Sequence, residues 1–309
     1  MTNEPKVGII INSYNHEQFC KESIMSALAQ TYNNKWIYFY DNNSTDRTRE
    51  VAYDFQKKHS MDVFMLDKPV APGVTPIGIA RYYAIQTALC KRKDLDYIAI
   101  MDADDYWAEN KIEKQVAKLL QYAPSPKICF SDCYYLFWKG DPGFMEFPIF
   151  IEPTETKEIR GKFHDRYPPF PFFDPFWHML TDYNYMPCPT LMFEVKAFQE
   201  CVGNPMHYTS AHDYDWLLKI LSRYNSVAYC DEPLAYYRIH AGQISQQTPA
   251  RCTAEEIDVV KRAMFFKGLN TWQRLLVYKH IVYLYMKLFY KEVTGFKYAM
   301  RQEKKVKVI

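Results

Sequence analysis

Three carboxylates fall within four positions at Asp102, Asp104 and Asp105, directly after the apolar run Ile98-Ala99-Ile100-Met101. Carboxylates this close repel one another and call for either full solvation or a cation. A helix cap uses one such residue, not three. At the end of a buried strand the cluster therefore fits a hard divalent cation, Mg²⁺ or Mn²⁺, which prefers carboxylate oxygens and also binds substrate phosphates. Asp105 is open between support for that site and the cap of a following helix. Two more carboxylates stand at element ends. Asp41 closes the run Trp36-Ile37-Tyr38-Phe39-Tyr40, and Asp213 opens an apolar-periodic stretch. Asp41 suits either an Asx turn or the acceptance of hydrogen bonds from a nucleobase or ribose. Asp213 suits either a carboxylate stabilised by a helix dipole or a general base. His240, a lone histidine, reads on its own as a structural residue.

The elements that would position these groups alternate along the first 130 residues. Apolar strands are expected at 7–12, 36–40, 62–66 and 97–101, and helices at 17–30, from Ser44 or Thr45 to about 58, at 78–92 and at 109–121. Continuous apolar strands between amphipathic helices imply an α/β layer with a mostly parallel sheet covered on both faces. In such sheets ligands bind beyond the carboxyl ends of the strands. Three polar clusters fall there: Ser13-Tyr14-Asn15, Asp41-Asn42-Asn43-Ser44 and the acidic triplet. Residues 127–138 read as one or two strands, 142–189 as a Pro- and aromatic-rich loop region, 212–223 as a helix and 226–230 as a strand.

Composition narrows the function classes. A net charge of +2 excludes a general electrostatic grip on a nucleic-acid polymer. No charged-then-apolar leader is visible at the N-terminus, and no window reaches the apolar length of a membrane span. The eight scattered cysteines complete no zinc pattern and read as reduced, mostly buried thiols of a cytoplasmic protein. Neither a GxGxxG nor a P-loop is present: Gly73–Gly78 is followed by Ile79 instead of Lys. A nucleotide would then be held through a metal on its phosphates. A phosphatase nucleophile of the DxDx(T/V) type would need Thr or Val where Tyr106 stands.

The blocks INSYNHEQFCKESIMSALAQTY, FYDNNSTDRT, IARYYAI, IMDADD, AHDYDWLLKI and YYRIHAGQIS, in that order over residues 6–246, resemble glycosyltransferase family 2 with its GT-A fold. The resemblance implies a Rossmann-like, mostly parallel central sheet and an inverting transfer of a sugar from a nucleotide-sugar, assisted by Mn²⁺ or Mg²⁺. It puts Asn12, Tyr14, Asp41 and Arg81 at the nucleoside, and Asp102 towards the ribose. Asp104 falls on the metal together with Asp102, His240 near the diphosphate and metal, and Arg238 at the phosphates. Asp213 takes the place of the catalytic base. Three positions depart from the family pattern: Asn42 replaces a second Asp, Tyr82 replaces the Asn that follows the family's Arg, and His212 replaces a Glu.

The resemblance divides the chain into a catalytic part, 1–246, and a helical region, 247–309. Residues 1–130 form the nucleotide-sugar half and 131–246 the acceptor half. Trp177 and His212 are candidates for the acceptor side, and Trp177, His178, Phe173 and Tyr185 are candidates for sugar stacking. Without the processive Q/R-x-x-R-W motif, one addition per event is expected, from a UDP-sugar in preference to other donors, to a glycan or lipid-linked hydroxyl. The alternative is a binding pseudoenzyme of the same fold. Residues 252–309 carry 12 Lys/Arg against 5 Asp/Glu and read as helical throughout. That region either packs on the catalytic part or a partner subunit, or lies at the inner face of a membrane as a peripheral contact. Homo-oligomerisation is left open.

Overall fold

The computed structural model describes residues 4–66, 77–122, 126–138, 157–162, 174–203, 207–240 and 242–306. The candidate stacking residue Phe173 lies outside them.

The first strand, β1 (Val7–Ser13), is buried along its whole length. It pairs in parallel with β2 (Lys35–Asp41) on one side and β4 (Tyr97–Asp102) on the other, and β2 pairs in parallel with β3 (Asp62–Met65). Side chains alternate across a strand, so the continuous apolar runs serve two faces at once. Ile10, Tyr38, Tyr40, Ile98 and Ile100 enter one core cluster, and Ile9, Ile11, Ile37, Phe39, Ala99 and Met101 enter the other. Helices α1 (Cys20–Leu28), α2 (Thr48–Gln56) and α4 (Lys111–Gln121) cover the second face. Helix α3 (Ile77–Lys91) covers the first.

Beyond β4 the pairing becomes mixed. After β4 come β5 (Tyr106–Trp107), β6 (Ile128–Trp138), β7 (Lys157–Lys162), β8 (Met192–Glu194) and β9 (Ala228–Ile239). The order across the nine-stranded sheet is β3-β2-β1-β4-β8-β6-β9-β5, with β7 against β6. Strand β8 is antiparallel to both its neighbours, β5 and β7 are antiparallel to theirs, and β6 is parallel to β9. The sheet is thus parallel in its first half and mixed in its second. Strand β9 runs well past the expected 226–230. Two register shifts of β6 around Asp132 take up the Glu232-Pro233 segment, which cannot continue a regular ladder.

Further along lie α5 (Pro175–Thr181), α6 (Val195–Val202), α7 (His212–Tyr224), the short α8 (Ile244–Gln247), α9 (Pro249–Ala263) and α10 (Thr271–Val306). Helices α9 and α10 do not form a core of their own. Ile257, Val259, Val260, Ala263, Val277, Ile281 and Leu284 join the same cluster as α3, α6 and α7. All eight cysteines are free thiols.

Candidate active site

Register brings the three polar clusters to one rim. Asn12 is opposite Tyr40 on one side and Asp102 on the other, and Ser13 is opposite Asp41. The backbone N–H of Ala103 donates to the Asn12 carbonyl at 3.0 Å, extending the ladder into the acidic turn. Asn12 Oδ1 is buried there with no hydrogen-bond partner, and Tyr14 is half-buried just beyond.

At the end of β2, Asp41 is fully buried. It accepts the Ser44 N–H at 3.0 Å, the Ser44 hydroxyl, and Nε of Arg49 at 2.7 Å. Arg49 also donates to Asn43 Oδ1 at 2.7 Å, and Asn43 takes a left-handed φ of 64°, which Asn tolerates better than most residues. The structure therefore gives this carboxylate a well-defined turn and ion pair.

The acidic turn itself brings carboxylate oxygens of Asp102, Asp104 and Asp105 within 4.8 Å of one another. Burial, together with the neighbouring carboxylates, pushes Asp105 well above the usual carboxylate range. Burial also raises Asp102, against the pull of the Arg81 guanidinium. Asp104 runs the other way. Burial opposes its charge, but His16 and His240 outweigh that and hold it low. His240 Nε2 is 3.1 Å from Asp104 Oδ2, and His16 Nε2 is 3.8 Å from the same oxygen. A set of hard, mutually repelling oxygens with one member held ionised suits a divalent cation. Asp105 does not cap the next helix. β5 intervenes, α4 begins at Lys111, and Asp105 Oδ1 instead accepts the Arg238 N–H at 2.8 Å.

Arg238 is turned inward. Its guanidinium is fully enclosed, donates to the Asp104 carbonyl, and pairs with Glu22 at 2.6 Å. It lies over the rings of Phe19 and Tyr106 at 4.6 and 5.6 Å. This arginine braces the acidic turn from behind.

Arg81 joins the acidic turn to the start of α7. It is buried on α3, donates to Asp102 Oδ1 with one terminal nitrogen, and with the other approaches Cys188 Sγ and His212 Nε2. Burial disfavours its charge, but Asp102 more than compensates and holds it protonated. His212 is enclosed against Arg81 and Trp216. Burial and the adjacent guanidinium push its pKa well below the usual value, so it is neutral. Next to it, Asp213 lies in the first turn of α7, with its Oδ1 accepting the Tyr214 N–H at 2.8 Å. Burial pushes its carboxyl up to about 6, against the lowering influence of Arg81. A carboxyl poised near neutrality can hold or release a proton under physiological conditions.

The acceptor-side candidates differ in burial. Trp177 is partly buried against the core cluster of α5 to α7, and Tyr185 is completely enclosed in it. His178 Nδ1 stands 3.7 Å from an Asp182 carboxylate oxygen. The residues that sequence reasoning passed over are His16, Glu22 and Arg49. All are polar partners of the named groups, and no local pattern marks them.

The chain is similar to known proteins in sequence and in fold. Residues 8–178, more than half of the chain, match the model of glycosyl transferase family 2. The chain belongs to glycosyltransferase family 2. It is 26% identical over 239 residues to the Escherichia coli UDP-Glc:alpha-D-GlcNAc-diphosphoundecaprenol beta-1,3-glucosyltransferase WfaP, covering 77% of this chain and 79% of that one. An uncharacterized glycosyltransferase of Methanocaldococcus jannaschii is 24% identical over 292 residues, covering 92% and 90%. Among solved structures, S. aureus TarS 1–349 in complex with UDP superposes with a TM-score of 0.60 at 15% identity, over 89% of this chain and 70% of that chain. The Pyrobaculum calidifontis mannosyltransferase PcManGT, in complex with GDP-Man and Mn²⁺, superposes with 0.56 at 14% identity, over 97% and 81%. The glycosyltransferase therefore has the GT-A fold, in which the parallel half carries the strand ends described above.

Proposed function

We propose that this glycosyltransferase moves a single sugar from a UDP-sugar to a hydroxyl of a lipid-linked or free glycan, with inversion at the anomeric carbon and Asp213 as the base. The observation that carries the reading is Asp213 itself: a buried carboxyl poised near pH 6 and tied through His212 and Arg81 to the acidic turn. UDP is favoured because the E. coli relative is named for UDP-Glc and TarS is seen with UDP. The relative's diphosphoundecaprenol-linked acceptor supports a lipid-linked glycan here.

Inversion is a one-step displacement. The acceptor oxygen bonds to the anomeric carbon as the bond from that carbon to the diphosphate oxygen breaks, and the acceptor proton passes to Asp213. Asp213 must be ionised to act, which a pKa of about 6 allows at neutral pH. Asp104 and Asp102, with His240 beside them, would hold a divalent ion; when bound, it neutralises charge that develops on the departing diphosphate. Arg81 fixes Asp102 and keeps His212 neutral beside the base. Arg238 and Glu22 hold the acidic turn in shape. Asn12 and Tyr14 line the nucleoside, with the turn at Asp41 shaping the same rim.

The test is release of nucleoside diphosphate from a panel of nucleotide-sugars, with a lipid diphosphate-linked acceptor present or omitted, in Mn²⁺, Mg²⁺ or chelator. Acceptor-dependent UDP release that is lost in chelator is expected. Nucleotide-sugar binding with no turnover on any glycan acceptor would support a binding pseudoenzyme instead.

A further inference from the structure

Helix α10 is apolar on more sides than the protein covers. Val277, Ile281 and Leu284 face the core, but Trp272, Leu275, Tyr278, Val282, Met286 and Phe289 face solvent. At 100° per residue these six fall in one arc of about 120°, opposite the buried row. Trp272 and Phe289, the first and last of the six, are each 68% exposed, so the row between them is open. A helix with one stripe buried in its own domain normally presents a polar outer face. Exposed apolar surface of this extent marks an interaction site.

We propose that this outer face of α10 lies flat in the interfacial region of an anionic phospholipid bilayer. Three observations select that partner. The face carries Trp272 and Tyr278, rings with an apolar body and a polar tip that suit the headgroup boundary. From residue 264 to the C-terminus the sequence holds ten Lys/Arg and two Asp/Glu, which attracts anionic headgroups and opposes a second copy of the same face. Lys279 is exposed within the apolar arc, towards its Trp272 edge, whereas Lys287 and Lys291 flank the helix and reach inward to Glu256 and Thr253. No helix among the described residues is long and apolar enough to cross a membrane, so contact is lateral. The proposal extends the lipid-linked acceptor suggested above, because it brings the enzyme to the surface where such an acceptor resides.

The test is co-sedimentation of the full chain with phosphatidylglycerol/phosphatidylcholine vesicles, compared with phosphatidylcholine alone, at low and high salt. Binding is expected to phosphatidylglycerol vesicles, to weaken with salt, and to fall roughly tenfold or more in a W272S/M286S/F289S variant. In the unaltered chain, tryptophan fluorescence quenching by brominated lipid is expected too, which keeps the test decisive if the variant folds poorly. Absence of binding and quenching at low salt would overturn the proposal. So would a concentration-dependent dimer, measured by light scattering, that is abolished by the variant while vesicles bind neither protein. These readouts need no catalysis: vesicle binding without sugar transfer would count against the proposed reaction alone.

Discussion

Arg81 Nη1 lies 2.7 Å from Nε2 of His212. Arginine can only donate, so the imidazole nitrogen accepts and the His212 proton sits on Nδ1, which is buried with no partner. The family's usual Glu would give this arginine a second anion. With His212 neutral, Asp102 is the carboxylate that Arg81 pairs with directly. The departure from the family pattern thereby lowers the negative charge beside Asp213.

Replacing His212 by Glu is expected to raise the pKa of Asp213. The new carboxylate stands one residue away, and a like charge disfavours ionisation. The acid limb of kcat/KM against pH should move upward by on the order of one unit. An unmoved limb would show that Arg81 screens the two groups completely.

Asp213 also sets a pH-dependent stability. Its folded pKa of about 6 exceeds the unfolded value of about 3.9. Its ionised form is therefore the costly one. The penalty is absent below about pH 4, grows as pH rises through the window up to about 6, and is complete above it. Asp213→Asn should raise the melting temperature at pH 7.5, corresponding to on the order of 2 kcal/mol, and leave it nearly unchanged at pH 4. Calorimetry at both pH values checks this, and equal shifts would contradict it.

Metal binding should stabilise the fold through the acidic turn. Millimolar Mn²⁺ is expected to raise the melting temperature of the wild type by mass action. In Asp104→Asn the carboxylate held ionised by His16 and His240 is gone, and the rise should largely vanish. The same rise in both proteins would remove Asp104 from the ion's coordination.

Gly78 is where α3 meets the start of α7. A Cβ there would stand 2.6 Å from His212 Cβ and 2.9 Å from the Tyr208 carbonyl oxygen, and the Gly78 N–H already donates to that carbonyl. Gly78→Ala should cost about 1–3 kcal/mol in urea unfolding and lower kcat, because α3 carries Arg81. A variant with wild-type stability and rate would show that the two helices can part without consequence.

The strands buried on both faces were legible because their apolar runs are continuous. The acidic triplet was legible because one cap cannot need three carboxylates. Strand β5 has two residues and leaves no periodic trace. The far half of β9 follows Asp231-Glu232-Pro233, which reads as a turn, and only the shifts in β6 allow pairing to continue. Side-chain direction was the larger gap. Asp41, Arg238 and His212 have the polar types that a site needs, yet each is turned inward by a partner. For Arg238 and His212 those partners, Glu22 and Arg81, are more than a hundred residues away in sequence. His16 stands beside Asp104 only because the loop after β1 passes over the end of β4, and a single histidine announces no such approach.

The most direct measurement compares Asp213→Asn with the wild type in two assays: calorimetric binding of UDP-sugar with Mn²⁺, and acceptor-dependent UDP release. Asn keeps the side-chain oxygen that accepts the Tyr214 N–H, so donor affinity should stay within about threefold of wild type while transfer falls by roughly 10²–10⁴. Transfer at a near wild-type rate would show that Asp213 is not the base.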